Sequence, residues 1–205
     1  MPKDKSLFHY GKPYHTLLDP LMKDTREKIL EYIPEKTSVL DIGCGTGDLC
    51  FKLRRQRNCQ IVGVDLSLTM INYAKENNPF SDVQFFHQDA TDLADFPESA
   101  FEYAVISFII HELDPDPQQK LVREAYRVAQ QVVMVDSYAP LPWNVVGIVK
   151  RVIEIGFGFE HYPQFRSYIL SKGIMGILES AELDAKITAQ ETFSQGCNQV
   201  VVLSH

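Results

Sequence analysis

The chain has 205 residues, enough for one domain with a well-filled core, and its 45% hydrophobic and 23% charged residues are the balance of a globular protein in water. A formal net charge of −7 without any Lys/Arg-rich block argues against nucleic acid as a partner, because phosphate neutralisation dominates that binding. The opening MPKDKSLFHY has no apolar segment that reads as a secretion signal, and the longest clean apolar run (AVISFII, 104–110) is too short to cross a bilayer.

Residues 19–33 space Leu21, Met22, Ile29, Leu30 and Ile33 as a helix does, and Pro34 stops it. The short apolar strand SVLDI follows, then a glycine-rich turn, then a helix over GDLCFKLRRQR. A second strand (60–67) ends near Asp65, and Ser67 is placed to cap a helix whose apolar face is Met70, Ile71 and Ala74. Strands are predicted at 83–90, 101–110 and 131–138, with a helix over 118–129. Helices alternating with continuously apolar strands imply crossover units and a parallel sheet covered on both faces.

Past Tyr138 the pattern breaks. Residues 141–165 are rich in apolar and aromatic side chains, and 165–183 read as a helix pair. Two strands (185–193 and 198–205) joined by SQGC close the chain as a hairpin, which sets one antiparallel strand near the sheet edge. Cysteines at 44, 50, 59 and 197 form no Cys-x-x-Cys pair, which fits a reducing cytoplasm and neither a disulfide framework nor a zinc site.

The turn VLDIGCGTGDL (39–49) carries the chemistry. Gly43, Gly45 and Gly47 let backbone approach a ligand closely, but Asp48 stands where a dinucleotide fingerprint has its third glycine. Asp41 and Asp48 would repel a pyrophosphate and attract an ammonium or sulfonium group. That opposes a nicotinamide cofactor.

VLDIGCGTG resembles the signature of the class I S-adenosylmethionine-dependent methyltransferases of small molecules, the type 11-like group, and further motifs follow in register. The resemblance runs from about residue 35 to 136 and implies an α/β fold: a Rossmann-like three-layer sandwich, its seven-stranded sheet mostly parallel with one antiparallel strand. It assigns S-adenosyl-L-methionine to the glycine turn, with Gly43, Cys44, Gly45 and Gly47 lining it and Asp41 steering the amino group of the methionine part. Asp65, in GVDLS, would grip the ribose hydroxyls. Asp89 and Ala90, in QDATDL, would read the adenine edge, and residues from Ser107 onward would line the methyl end. Leu66 and Met70 are candidates for packing on the adenosine, though Met70 at helical spacing fits core equally well. Cys44 equally suits a small residue that simply packs.

Tyr10 and Tyr14 resemble an aromatic lead-in folded over the cofactor, with His15 where that pattern has an acid. His111, in IIHEL, falls beside the methyl donor and is the candidate general base, although methyl transfer from a sulfonium can run on proximity alone. The chain then divides into an N-terminal helical cover (1–34), a cofactor-binding core (35–138), a substrate-lid insert (139–165) and a closing helix and hairpin (166–205). Trp143, Phe157, Phe159, Tyr162 and Phe165 offer a lid over a small-molecule methyl acceptor. The same insert offers a homodimer surface, and its scarcity of cations disfavours stable membrane association. Two other readings stay open: a non-catalytic module binding S-adenosylmethionine or S-adenosylhomocysteine, and a nicotinamide-dependent oxidoreductase.

Overall fold

All seven predicted strands form, joined by the helical crossovers that parallel pairing requires. The computed structural model describes residues 22–156 and 162–205. Its elements are α1 (Lys23–Tyr32), β1 (Ser38–Ile42), α2 (Asp48–Arg57), β2 (Gln60–Asp65), α3 (Leu68–Glu76), β3 (Gln84–His87), β4 (Phe101–Ser107), a 3-10 turn (Ile110–Glu112), α4 (Pro115–Val128) and β5 (Ala129–Ser137). Then come α5 (Val145–Gly156), α6 (Tyr162–Leu170), α7 (Gly173–Ala181), β6 (Lys186–Phe193) and β7 (Asn198–Ser204).

The strand order is β3-β2-β1-β4-β5-β7-β6. β1 pairs in parallel with both β2 and β4, β2 with β3, and β4 with β5. β7 runs antiparallel between β5 and β6, one place in from the edge, as the closing hairpin implied. The chain winds from β1 toward β3 on one side and resumes at β4 on the other. β1 and β4 therefore flank a topological switch point, and the crevice outside their C-terminal ends is where such sheets bind ligands.

Strand residues alternate between two apolar clusters, one on each face. Val39, Val105 and Val133 pack with Ile29, Leu30, Leu53 and Ile71, while Leu40, Ile42, Ala104 and Met134 pack with Leu121, Val122, Ile174 and Ile177. This alternation turns Asp41 toward the face covered by α2, where it is buried. Pro115 at the start of α4 has no amide to leave unsatisfied there.

The described part of the insert forms α5 and the start of α6. Trp143 is 82% exposed, with Arg151 stacked 4.1 Å from its ring, whereas Phe165 is buried. Phe157 and Phe159 lie outside the described residues, as does most of the N-terminal cover. Among the described residues, no helix is long and apolar enough to cross a membrane.

Candidate active site

The glycine turn is tied to β2. The amides of Gly43 and Cys44 donate to the Val64 carbonyl at 2.8 and 3.0 Å, and the amide of Gly45 donates to Oδ2 of Asp65 at 2.8 Å. Oδ1 of Asp65 accepts from the Ser67 amide at 2.7 Å. Each carboxylate oxygen thus spends one lone pair inside the protein and keeps another for an outside donor. Burial raises the Asp65 pKa, and the two amide bonds work against that rise.

Gly43, Gly45 and Gly47 all have positive φ, which a side chain disfavours. Their surroundings differ. A Cβ at Gly43 would lie 2.6 Å from Ile109 Cγ2, and one at Gly47 would lie 2.7 Å from the Phe85 ring, whereas one at Gly45 would meet none of the described residues within 4 Å. Gly43 and Gly47 are glycines for packing; Gly45 borders open space.

The two acids flanking the glycines are held inside the protein. Asp41 accepts from Cys50 Sγ at 3.2 Å, and burial pushes its pKa up to about 6. Asp48 accepts from Thr46 Oγ1 at 2.6 Å and lies 3.6 Å from the Arg26 guanidinium, so its charge has a counter-ion. The turn's preference for a cation therefore rests less on Asp48 than the sequence suggests.

Asp89 is exposed beyond β3, where its Oδ1 accepts from the amide and hydroxyl of Thr91, both at 2.8 Å. Ala90, next to it, is half-buried. Leu66 is 63% exposed beside Asp65, an apolar surface left bare at the crevice, whereas Met70 is 4% exposed and packs as core. Cys44 is buried, and Ser107 is half-buried at the end of β4. Tyr10 and Tyr14 lie outside the described residues.

The loop after β4 enters a buried polar cluster. His111 Nδ1 is 2.8 Å from Asp136 Oδ1, at the end of β5, and the same oxygen accepts from the Ser137 amide at 2.6 Å. Rings of Phe165, Tyr168 and Phe108 surround the imidazole at 5.7, 6.1 and 6.3 Å. On α5, Glu154 Oε2 lies 3.9 Å from His111 Nε2, and Lys150 donates to Asn198 Oδ1 at 2.5 Å.

Burial opposes the charged form of His111, but the attraction of Asp136 and its hydrogen bond outweigh it, and Glu112 and Glu154 add to them. The pKa stands at about 9, so the imidazole is cationic at neutral pH. Burial pushes Glu112 up to about 7, raises Glu154 and brings Lys150 down to about 8. Asp136 Oδ2 and Ser137 Oγ are buried with no hydrogen-bond partner among the described residues. Buried polar atoms are normally satisfied, so two orphans together mark a place where a ligand or water belongs.

Glu112, Asp136, Lys150 and Glu154 were not singled out from the sequence. Asp136 carried a signal, because it ends an apolar strand just as Asp41 and Asp65 do. Among the described residues no group of three His, Cys, Asp or Glu is placed to hold a metal ion.

Comparison with known proteins agrees with this fold. Residues 39–131 match the family model described as "Methyltransferase domain". The chain is 31% identical to a demethylmenaquinone methyltransferase of Listeria welshimeri over 116 residues, covering 53% of this chain and 48% of that protein. It is 31% identical over 152 residues to the ubiquinone/menaquinone biosynthesis C-methyltransferase UbiE of Rickettsia prowazekii, covering 62% and 60%. The chain thus spans about half the length of the first of these curated relatives. Among solved structures, a SAM-dependent methyltransferase from Aquifex aeolicus superposes with a TM-score of 0.68 at 19% identity, over 96% of this chain and 99% of that one. A methyltransferase from Bacillus halodurans gives 0.61 at 22% identity, over 83% and 72%. These two likenesses establish the fold.

Proposed function

We propose that this chain, which carries a class I methyltransferase domain, binds S-adenosylmethionine at the switch point and transfers its methyl group to a small organic acceptor. The observation that carries the reading is the joint placement of Gly45 and Asp65, a bare backbone bordering open space beside a carboxylate with lone pairs to spare. That pair suits a ligand with vicinal hydroxyls packed close to backbone.

In this reading Asp65 accepts the ribose hydroxyls, Leu66 packs on the adenosine, and Asp89 with the Ala90 amide reads the adenine edge. Gly43, Cys44, Gly45 and Gly47 line the approach, and buried Asp41 sets the negative potential that favours the methionine ammonium. When bound, S-adenosylmethionine supplies a methyl group already activated on a sulfonium. The remaining work of the residues is to orient the acceptor and exclude water beneath α5 and α6. His111, cationic at neutral pH, serves as a hydrogen-bond donor to the acceptor rather than as its base.

The curated relatives are named for quinone substrates, and a compact ring acceptor suits the aromatic surroundings of His111, where Phe108, Phe165 and Tyr168 pack. The test is release of S-adenosylhomocysteine from S-adenosylmethionine across a panel of small ring acceptors. Cofactor binding with no turnover of any of them would favour a non-catalytic binding module.

A further inference from the structure

Helix α5 is built inside out. Val145, Ile148, Val149, Val152 and Ile155 are 48–75% exposed, while Lys150 and Glu154, one turn apart, face inward to Asn198 and His111. Exposing aliphatic side chains and burying charged ones both cost stability. Folding energetics alone gives no reason for this orientation; chemistry at the inner face does.

The gap of 3.9 Å between His111 Nε2 and Glu154 Oε2 is too long for an N–H···O hydrogen bond. It suits two groups that share a third, since one oxygen about 2.8 Å from each fits between them. Nε2 is the available edge of the ring, because Nδ1 is committed to Asp136. His111 also lies two residues beyond Ile109, the side chain that packs on Gly43, so the pair stands next to the cofactor turn.

We propose that Glu154 takes the proton of an acidic ring hydroxyl on the acceptor, with His111 holding the oxyanion that results and Asp136 as the positioning residue of His111. The assignment rests on the methyltransferase reading above. In the step, the hydroxyl proton passes to the Glu154 carboxylate and the acceptor oxygen forms its bond to the methyl carbon. The carbon–sulfur bond breaks with its electron pair kept by sulfur, leaving a neutral thioether. Charge balances: the cationic sulfonium and anionic carboxylate become a neutral thioether and a neutral carboxylic acid.

Among the described residues, the other titratable groups facing this pair are Glu112 from the 3-10 turn, Lys150 from α5 and Tyr168 from α6. Burial raises Glu154 from the ordinary carboxylate range toward neutrality, which suits a proton acceptor, and the His111 cation opposes that rise.

The experiment uses the full chain with S-adenosylmethionine and two probe acceptors, 2-naphthol and catechol. Glu154→Gln is expected to lower kcat about 100-fold or more, with the KM for S-adenosylmethionine within about twofold of the parent, and Glu154→Asp to recover part of the rate. A readout independent of turnover is the absorbance of 2-naphthol bound with S-adenosylhomocysteine at pH 7.5. The red-shifted naphtholate band is expected in the parent and absent in Glu154→Gln. Asp136→Asn should move the alkaline limb of the kcat/KM profile to lower pH, which a purely structural role would not do.

Unchanged kcat and an unchanged naphtholate band in Glu154→Gln would overturn the proposal, as would a product methylated on ring carbon. A parent that binds S-adenosylmethionine but neither binds nor methylates either probe would overturn the hydroxyl assignment and leave the cofactor reading standing. A parent that does not bind S-adenosylmethionine fails the reading beneath it.

Discussion

The amide of Gly45 donates to Oδ2 of Asp65 at 2.8 Å, which makes the turn after β1 and the acid ending β2 a single unit. Asp65 therefore shapes the turn as well as facing a ligand. Asp65→Ala should weaken S-adenosylmethionine binding by about 1–3 kcal/mol through lost charge-assisted hydrogen bonds. Calorimetric titration of the variant checks this, and unchanged affinity would remove Asp65 from the cofactor site.

Gly43 and Gly45 separate packing from ligand contact. Gly43→Ala would drive a methyl group into Ile109 as well as strain a positive φ, and should cost roughly 1–3 kcal/mol of stability. Gly45→Ala meets open space, so it should cost stability less and cofactor affinity more. Thermal melts beside ligand titrations of the two variants give the comparison; equal losses on both scales would contradict it.

Asp41 destabilises the fold at neutral pH. Its folded pKa of about 6 lies above the ordinary 3.8, so the protonated form is the one the fold prefers. The associated stability is present below the unfolded value and is lost as pH rises through the folded one. Asp41→Asn should accordingly stabilise by roughly 2–3 kcal/mol at pH 8 and by roughly half that at pH 5, while S-adenosylmethionine affinity falls. Denaturant titrations at the two pH values decide; a gain that does not grow with pH would refute the burial argument.

His111 has the same sign of shift with the opposite charge. Its folded pKa of about 9 exceeds the ordinary 6.5, so the Asp136 pairing contributes fully below pH 6.5 and is lost as pH rises through 9. The parent should lose stability between pH 6 and pH 9.5, and His111→Gln should flatten that dependence. A parallel fall in both proteins would show that another group titrates.

The strand-helix alternation and the glycine turn were legible because they are local: apolar runs, then glycines, then an acid, each within a few residues. The acceptor end was not, because its groups come together from β4, β5 and α5 across the fold. The apolar spacing of Val145, Ile148, Val149 and Val152 marks one helix face, and the structure turns that face outward. A periodic pattern states which residues share a face and says nothing of which way that face points. The partner of Asp48 was hidden for a related reason, since Arg26 comes from the preceding helix α1.

Calorimetric titration tests most directly whether the switch point is a site for S-adenosylmethionine. The protein should bind S-adenosylmethionine and S-adenosylhomocysteine and leave NADH unbound. Binding of NADH alone, or of none of the three, would contradict that assignment.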